Sequence, residues 1–394
     1  MKVLHVIPSI ASIRGGPSHA VIAMVKALKA QNIEVEIVTT NDNGKQYLDV
    51  PLGERTIYQN VPVWFLPRCA LPIKEFIFSA SLTKWLWQHI GDYDLVHNHY
   101  LFSYASSCAG LLARFKRIPY IVRTIGQLTP WSLAQSSFKK EIYSALIERH
   151  NLNHARAIHC TASGEAEDVR RFGITTPTLT IPLGVESPKI IPEARSQLRQ
   201  QYNLAPEIPI ILFLSRLHYK KRPDLLLSSV SEIAASQPEA HLIMAGSGDA
   251  DYVSYLQQLV KQLNLSDRVT FPGFVTGQAK QILLQGADLF VLPSYSENFG
   301  IAVAEAMVVG LPVVITPGVQ IAPDIEAANA GIVIQEDAEL ATAMNTLLNS
   351  ADKRTQLGNN ALNLAIQKYS WDAIATELIA AYQEIIHAQS AVKQ

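Results

Sequence analysis

The sequence predicts an α/β protein made of two Rossmann-like domains. Its 394 residues exceed what one typical hydrophobic core accommodates, which favours two domains. Short apolar runs suited to buried parallel strands alternate with helical stretches, and this alternation starts twice, at Lys2 and again at Ile208. A proline-rich stretch without periodicity separates the two series. We therefore expect a first domain at residues 1–188 and a second at residues 189–370.

Composition indicates a globular protein without an overall charge. Hydrophobic residues make up 48% of the chain and charged residues 17%, with 33 Lys and Arg against 34 Asp and Glu. Such a balance does not attract nucleic acid or an anionic bilayer over the whole surface, so local sites must choose the partners.

The cysteines and the N-terminus favour a reducing compartment. Cys69, Cys108 and Cys160 are widely separated, odd in number and without metal-ligand spacing, so we expect free thiols. The N-terminus lacks a signal-peptide cleavage pattern, and no stretch reaches the ~18 apolar residues that span a bilayer. We expect a cytoplasmic protein, with at most peripheral association at the inner face of the membrane.

The first domain opens with a strand, a glycine-containing loop, a helix and a second strand. The strand at Lys2–Ile7 leads to Gly15 and Gly16, a helix covers about Ser18–Gln31, and a strand follows at Val35–Thr39. Ligands bind at such loops in open α/β sheets. The GxGxxG spacing is missing, so dinucleotide binding is not predicted. A plain turn and contact with a phosphate or a sugar are equally consistent with the two glycines.

Large apolar side chains are frequent between Pro67 and Trp87. Such a stretch can contact a membrane or a lipid-linked substrate. No lysine-rich polar face flanks it in the sequence, so we favour core packing or a wall on the acceptor side.

Two histidines alternate at the end of the next predicted strand, Leu95–His97. In extended chain His97 and His99 point the same way. Because no third ligand lies nearby in the sequence, we favour a hydrogen-bonding or substrate-lining role over a zinc site. The remaining elements predicted for this domain are helices at Tyr104–Phe115, Phe138–His150 and Gly164–Phe172 and strands at Val61–Leu66, Pro119–Thr124 and Ala157–Thr161.

The second series begins with a strand at Ile208–Leu214 that leads into SRLHYKKRPD. Four cations within seven residues, from Arg216 to Arg222, form a local positive field before a helix in a near-neutral protein. A diphosphate is the ligand that such a field favours. The alternative is a solvated basic turn.

The strand at His241–Ala245 ends in GSGDAD, which lacks the third glycine of a dinucleotide fingerprint. Asp249 and Asp251 form a DxD pair, as do Asp92 and Asp94. Short acidic pairs are common by chance and helix starts favour Asp, so we reject both as metal sites. A further strand and turn at 268–275 could present backbone donors and acceptors to a base.

The segment around Glu297 and Glu305 carries the strongest signal. It lies between strands predicted at Ala287–Ser294 and Leu311–Thr316, with a helix at about Gly300–Val309. Eight positions cover about 12 Å of a helix, so the two carboxylates cannot share one metal ion or one proton. They can hold two ends of one extended ligand, with a phosphate at the helix N-terminus between them. The alternative is that Glu297 is an ordinary charged loop residue and Glu305 a solvated helix residue. However, the apolar neighbours of Glu305 predict a buried carboxylate that needs a partner.

These residues resemble the retaining glycosyltransferases of family 4. The signature is Glu297, seven residues and Glu305, written ENFGIAVAEAMVVGLPVV, preceded by FVLPSYS and farther back by SRLHYKKRPD, VTFPGFV and AGSGD. The matches cover most of residues 208–335, and the N-terminal half matches more loosely through Gly15 and Gly16. The segment GQLTPWSL is similar to a sub-group that assembles polysaccharides and other envelope glycans.

The resemblance implies a GT-B fold, in which two Rossmann-like domains face each other across a cleft and the last helix, residues 371–394, packs on the first domain. It implies that Arg216 and Lys221 hold the donor diphosphate and stabilise the leaving UDP, and that Glu297 binds the transferred sugar. These three are the predicted catalytic residues. The implied substrate-binding residues are Gly15, Gly16, Gly246, Phe274, Val275, Asn298, Phe299, Gly300, Ile301 and Glu305, with Glu305 on the ribose and Phe274 and Val275 framing the base.

One position departs from the family pattern. Many relatives carry a His before the glycine of the loop that follows the strand at Pro119–Thr124, where this chain has Ile125 before Gly126. The usual contact from His to the donor sugar is then missing. Arg123, His97 or His99 could compensate, and with Gly126 they form the candidate acceptor or sugar side.

The resulting hypothesis is a retaining, metal-independent hexosyltransferase without a cofactor. It would move a hexosyl group from a UDP-sugar to a hydroxyl of a glycan or lipid-linked acceptor, in exopolysaccharide or envelope glycan synthesis. Glucosyl is favoured among the hexosyl groups only because UDP-glucose is a frequent donor. A UDP-sugar 2-epimerase of the same fold and an inactive sugar-nucleotide-binding subunit remain as alternatives.

Overall fold

The structure is a computed structural model that describes residues 1–69, 76–134, 147–237 and 239–393. The chain divides into two compact units. The first comprises Met1–Gly184 and Trp371–Gln394, and the second comprises Val185–Ser370. The boundary expected at residue 188 lies close to this division.

The first unit is built on an eight-stranded sheet. Its strands are β1 (Lys2–Val6), β2 (Glu34–Thr40), β5 (Arg55–Tyr58), β6 (Val61–Leu66), β7 (Leu95–His99), β8 (Tyr120–Arg123), β9 (Ala157–Cys160) and β10 (Thr178–Thr180). Two short strands, β3 (Asp42–Asn43) and β4 (Gln46–Tyr47), pair separately. The sheet order is β10-β9-β8-β7-β1-β2-β6-β5, and only β5 runs antiparallel to its neighbour.

Helices cover both faces of this sheet. They are α1 (Gly16–Ala30), α2 (Ala80–His89), α3 (Tyr104–Phe115), α4 (Pro130–Ala134), α5 (Arg149–His154) and α6 (Ser163–Arg171). One apolar core lies between the sheet and α2, α3, α5 and α6, and a second lies under α1. Most of the helix predicted at Phe138–His150 lies outside the described residues.

The second unit contains a six-stranded, fully parallel sheet. Its strands are β11 (Ile210–Leu214), β12 (His241–Ala245), β13 (Val269–Gly273), β14 (Leu289–Leu292), β15 (Val313–Ile315) and β16 (Gly331–Val333), in the order β13-β12-β11-β14-β15-β16. Its helices are α7 (Ala194–Gln201), α8 (Pro223–Ile233), α9 (Ala250–Gln262), α10 (Gly277–Gly286), α11 (Ile301–Met307), α12 (Ala322–Ala327), α13 (Glu339–Leu348) and α14 (Ala351–Tyr369). β11, β12 and β14 are buried throughout, as their unbroken apolar runs predict.

The last helix, α15 (Trp371–Lys393), belongs to the first unit. Ile374, Leu378 and Tyr382 are buried in the core under α1. The Gln31 amide at the end of α1 donates to the Asp372 carbonyl at 2.9 Å. The helix extends beyond the predicted Ser370–His387.

The strand order of the second unit identifies where a ligand would bind. The chain runs outward from β11 to β12 and β13 and then returns to place β14 on the other side of β11. In open parallel sheets the crevice at such a switch point, at the carboxyl ends of the strands, is the usual binding site. The prediction of an α/β protein with two Rossmann-like domains is confirmed.

Candidate functional site

The cationic segment after β11 lies at the switch point of the second sheet. Arg216 follows the strand directly, and its side chain is exposed. Lys221 ends a short 3-10 turn (Tyr219–Lys221), and its side chain is only 10% exposed. The backbone N–H of Tyr295, beyond β14, donates to the Lys220 carbonyl at 2.9 Å. The loops after β11 and β14 are therefore tied together.

Lys221 and Glu297 form an ion pair across the switch point. The Glu297 side chain is 14% exposed, and the Ser294 hydroxyl donates to the same carboxylate oxygen at 3.1 Å. The Glu297 backbone N–H donates to the Gly318 carbonyl at 2.8 Å, which holds this loop against the loop after β15. Two of the three predicted catalytic residues are thus brought into contact from strands that are far apart in the sequence.

Gly246 supports the backbone that carries Arg216. Gly246 has φ 152°, and a Cβ built on it would lie 1.8 Å from the Ser215 carbonyl oxygen. A Cβ on Gly248 would lie 2.1 Å from the Leu217 carbonyl oxygen. Only glycine lets the segment after β11 lie so close to the segment after β12. The structure gives Gly246 this packing role, and its predicted contact with a substrate stays a prediction.

The loop between Glu297 and α11 leads into the helix N-terminus. Gly300 has φ 85° and precedes the helix, and a Cβ on it would lie 2.8 Å from the Val319 side chain. The Phe299 ring is buried and packs edge-on against Tyr369, 5.4 Å between ring centroids. Because the first N–H groups of a helix have no intrahelical acceptor, the first turn at Ile301 can donate to a phosphate or a sugar. Asn298 is half-buried in the same loop.

The prediction that Glu305 is a buried carboxylate is wrong. Its side chain is 26% exposed and lies 2.8 Å from Lys280 of α10, an ion-pair partner that the sequence analysis did not identify. The apolar residues next to Glu305 in sequence lie on other faces of α11, where Val303, Ala304, Ala306 and Met307 are buried. A partly exposed carboxylate that is held by a lysine can still accept hydrogen bonds from ligand hydroxyls.

Phe274 lies beyond β13 with 75% of its surface exposed, and Val275 is half-buried beside it. An exposed aromatic ring next to a strand end offers a stacking surface for a planar base.

Arg222, the last of the four cations, belongs to a different contact. It forms an ion pair with Asp337, and its guanidinium lies 4.2 Å from the centroid of the Tyr295 ring. This hydrogen-bonded pairing raises the pKa of Arg222 and lowers that of Asp337. Burial and the neighbouring Lys221 lower the pKa of Lys220. Of the four cations, Lys221 is the one that forms an ion pair with Glu297, while Arg216 is exposed just after β11.

Taken together, the second unit gathers the predicted donor-side residues at one edge. Phe274, Gly246, Arg216 and Glu297 follow β13, β12, β11 and β14, which are adjacent in the sheet. The edge offers an exposed ring, a cationic centre, and carboxylates on either side of a helix N-terminus. Such a sequence of groups matches the order of a base, a diphosphate and a sugar.

In the first unit, Gly15 and Gly16 form the start of α1. Gly15 has φ 77°, and a Cβ on either glycine would meet open space. The preceding residue, Arg14, donates to the Asp42 carboxylate at 2.8 and 2.6 Å, and Arg68 pairs with the same fully buried carboxylate at 3.0 Å. Asp42 fixes this loop, although the sequence analysis did not select it. Its position directly after a buried strand is the signal that could have identified it.

Glu165 organises the loop that carries Ile125 and Gly126. It is buried and accepts hydrogen bonds from the Gly126 backbone N–H and the Thr124 hydroxyl, each at 2.6 Å. Ile125 adopts φ 55°, a left-handed conformation that is unfavourable for a β-branched residue. The Gly126 backbone N–H is therefore already hydrogen-bonded to Glu165 within the unit. The role of Gly126 on the sugar side stays a prediction.

His97 belongs to a buried hydrogen-bonded chain. The Ile181 carbonyl can only accept, so His159 carries its proton on Nε2 (2.9 Å) and accepts at Nδ1 from His97 Nε2 (3.2 Å). His97 Nδ1 then accepts from the Tyr382 hydroxyl at 2.7 Å. Burial lowers the pKa of His159 to about 3 and that of His97 well below its usual value, so both rings are neutral. The chain joins the sheet to α15.

The sequence offers no third ligand near His97 and His99, but the fold brings His5 beside them. β1 pairs with β7 so that His5 lies opposite His97, and the three histidines offer nitrogens within 4.8 Å of one another. Arg123 is fully buried beside them. Burial lowers its pKa to about 10, so it stays charged at neutral pH and opposes a divalent cation at this place. His97 makes hydrogen bonds to His159 and Tyr382, and the preference for a hydrogen-bonding role over a zinc site stays a prediction.

His97, His99 and Arg123 are at most 1% exposed. Their proposed contact with an acceptor or sugar therefore requires this interior to open, and it stays a prediction.

Two smaller expectations agree with the structure. Asp249 caps α9 by accepting from the Asp251 N–H at 3.1 Å, as the preference of helix starts for Asp suggested. Cys69, Cys108 and Cys160 are free thiols.

Among the described helices, none is both long and apolar enough to cross a membrane.

Comparison with known proteins assigns the class. The model for "Glycosyl transferases group 1" matches residues 194–364, and that for "Glycosyl transferase 4-like domain" matches residues 15–184. The structure is similar to that of HepE from Anabaena in complex with UDP, with a TM-score of 0.77 and 21% identity over 98% of this chain and 100% of that one. Sucrose-phosphate synthase from Thermosynechococcus elongatus gives a TM-score of 0.74 at 22% identity, over 98% and 100% of the two chains. The two family models and the fold together identify a glycosyltransferase with the GT-B fold.

The curated relatives agree. D-inositol 3-phosphate glycosyltransferase 2 from Catenulispora acidiphila is 27% identical over 96% of this chain and 92% of its own. The D-inositol 3-phosphate glycosyltransferase from Stackebrandtia nassauensis is 26% identical over 95% and 88%. The two family-model matches and these relatives are consistent with a glycosyltransferase of family 4.

Proposed function

We propose that this enzyme transfers a hexosyl group from a UDP-sugar to a hydroxyl of a glycan or lipid-linked acceptor, with retention of anomeric configuration and without a metal ion. UDP-glucose is the favoured donor, and exopolysaccharide or envelope glycan synthesis is the favoured process. The observation that carries the proposal is the Lys221–Glu297 pair at the switch point of the second sheet, beside the exposed Arg216.

The donor would lie along the carboxyl edge of this sheet. The base would stack near Phe274, the ribose hydroxyls would donate to Glu305, and the diphosphate would lie between Arg216 and Lys221. The transferred sugar would donate its hydroxyls to Glu297, which already accepts from Lys221 and Ser294. Lys221 would then contact both the phosphate and the sugar-binding carboxylate, because an ammonium has three donors.

The proposed chemistry needs no protein nucleophile. The bond between the anomeric carbon and the diphosphate oxygen breaks, a bond from the same carbon to the acceptor oxygen forms on the same face, and the acceptor proton moves to the departing phosphate. Arg216 and Lys221 would stabilise the negative charge that develops on the leaving UDP. These two cations would supply the charge that a metal ion provides in other transferases, which motivates the proposal of metal independence.

The comparisons support two details of this proposal. The structures similar to this one include HepE with UDP and glucose and HepE with UDP-glucose, which favours the same nucleotide and sugar here. The curated relatives are named for D-inositol 3-phosphate, which makes that compound a second candidate acceptor. Its hydroxyls present the same nucleophile as a glycan does.

The decisive assay measures UDP release from a panel of UDP-sugars, in EDTA, with and without candidate acceptors that include D-inositol 3-phosphate and lipid-linked sugars. We expect UDP release that depends on an acceptor, and a product with the anomeric configuration of the donor, read from the coupling constant of its anomeric proton. Inversion of that configuration, or activity abolished by EDTA and restored by a divalent metal, would contradict the mechanism.

Two other outcomes select the alternatives. UDP that appears only together with an epimerised sugar favours a UDP-sugar 2-epimerase. Tight UDP-sugar binding without turnover on any acceptor favours an inactive sugar-nucleotide-binding subunit.

A further inference from the structure

The surface of α2 and α3 carries an exposed apolar cluster. Trp87 of α2 and Phe115 of α3 stack with ring centroids 5.2 Å apart. Trp87 is 49% exposed, Phe115 is 68% exposed, and Leu111, one helical turn before Phe115, is 60% exposed. Other aromatic residues of this region are packed inside, since Trp85 is buried and Phe78 contacts Tyr104. An exposed group of three large apolar side chains on two adjacent helices marks an interaction surface.

Basic side chains surround this cluster. The Lys116 ammonium lies 4.8 Å from the centroid of the Trp87 ring. Lys116 and Arg117 follow α3 directly, and Lys84 lies one turn before Trp87, so that it shares a face of α2 with it. All three cations are exposed. We call Lys84, Trp87, Leu111, Phe115, Lys116 and Arg117 the aromatic–basic patch.

Exposed carboxylates are scarce on the described helices that carry the patch. Neither α2 nor α3 contains Asp or Glu, and the sequence has none from Leu95 to Lys140. α5, which packs against α3, also lacks them, and Glu148, just before α5, accepts from Ser107 of α3 but is only 2% exposed. Asp92, just beyond α2, lies 3.3 Å from His89. The patch is therefore a cationic surface on a protein whose overall charge is near zero.

The fold places basic residues from another segment beside the apolar stretch. The apolar stretch that ends at Trp87 has no lysine-rich flank in its own segment, which favoured core packing. α3 pairs with α2 and brings Lys116 and Arg117 beside Trp87, although they are nearly thirty positions later in the chain.

We propose that the aromatic–basic patch docks the enzyme on an anionic lipid bilayer. The Trp87 and Phe115 rings would enter the headgroup region, where amphipathic aromatic side chains are favoured, while the cations bind lipid phosphates around them. A second copy of this chain fits less well as the occupant. Two copies of this cationic patch would repel each other.

The test is sedimentation of the purified full chain with vesicles. One set contains phosphatidylcholine only, and the other contains phosphatidylcholine mixed with phosphatidylglycerol, each at low and high salt. We expect binding to the anionic vesicles that weakens with salt, because the phosphate contacts are screened. Vesicle sedimentation requires no enzymatic turnover, so a failure of the membrane-docking proposal can be distinguished from a failure of the proposed function.

Two variants and one control make the test specific. Lys116→Glu with Arg117→Glu should lower the vesicle partition coefficient by at least about tenfold, and Trp87→Ser with Phe115→Ser should lower it by a similar factor. The control is Tyr255→Ser with Ile366→Ser, which removes two comparably exposed apolar side chains from the second unit. Thermal melts verify that each variant is folded, and activity on a soluble acceptor should be unchanged in all three.

Three results would overturn the proposal. They are absence of wild-type binding to anionic vesicles, binding that survives both patch variants, and equal loss in the control. A change from dimer to monomer in the Trp87 and Phe115 variant with unaltered vesicle binding would assign the patch to self-association instead.

Discussion

Replacing Lys221 by methionine tests the ion pair at the centre of the site. Methionine keeps the length of the side chain and removes its charge. Lys221 and Glu297 are 10% and 14% exposed, so their charges are poorly screened by water. Removing one preorganised donor to developing charge typically lowers kcat by about 10²- to 10³-fold, or about 3–4 kcal/mol. We expect a loss of that size in Lys221→Met.

The same change also acts on the resting protein. It leaves the Glu297 carboxylate with the hydrogen bond from the Ser294 hydroxyl but without its ammonium partner. Leaving a mostly buried charged group with fewer partners costs about 1–3 kcal/mol of unfolding free energy. Urea denaturation measures this stability loss separately from the kinetic loss.

The assay is the initial rate of UDP release at saturating donor, with Lys261→Met as the control. Lys261 is exposed near the end of α9, and because α9 runs back from the carboxyl end of β12, this residue lies away from the site edge and the control should retain most of the activity. Because Lys221 and Glu297 are in contact, Lys221→Met combined with Glu297→Gln should lose less than the two single losses added together. A Lys221→Met enzyme that turns over at the wild-type rate would refute the reasoning.

Three further predictions concern donor affinity, packing and pH. Glu305→Gln should raise the KM for the donor by about tenfold or more while kcat changes little, since a charged hydrogen bond to the ribose contributes to ground state and transition state alike; an unchanged KM would remove Glu305 from the donor site. Gly246→Ala should lower the unfolding free energy by at least about 2 kcal/mol in denaturant melts, because its Cβ would collide with the Ser215 carbonyl, whereas Gly91→Ala, with open space around it, should change little. Burial raises the pKa of Glu148 to about 7, so its stabilising contribution is complete below the pKa of the unfolded chain, near 4.5, and is lost as pH rises through 7. The effect of Glu148→Gln on the unfolding free energy should therefore be more favourable at pH 8 than at pH 5, by up to about 3 kcal/mol. An equal effect at both pH values would contradict the raised pKa of Glu148.

The sequence was sufficient for the parts of the account that depend on local pattern. Unbroken apolar runs predicted β11, β12 and β14, and the cations and the carboxylate were each recognised after a predicted strand. The selection of Lys221 and Glu297 as site residues rested on the resemblance to family 4, and the structure brings the two side chains into contact.

Contacts between distant segments could not be predicted in the same way. The neighbours of Glu305 in sequence are apolar, so a buried carboxylate was expected, but the exposed face of α11 turns it toward Lys280 of another helix. His5 joins His97 only through the pairing of β1 with β7. The cations beside Trp87 likewise come from the next helix. Each of these contacts depends on the packing of whole elements, which no single segment encodes.

The most direct test of the central claim is a calorimetric titration of UDP-glucose, in EDTA, into the wild-type enzyme and into a variant that combines Lys221→Met with Glu305→Gln. The account predicts one donor bound per chain without metal and loss of at least about 3 kcal/mol of binding free energy in the variant. Equal affinity in the two proteins, or wild-type binding that appears only after a divalent metal is added, would contradict it.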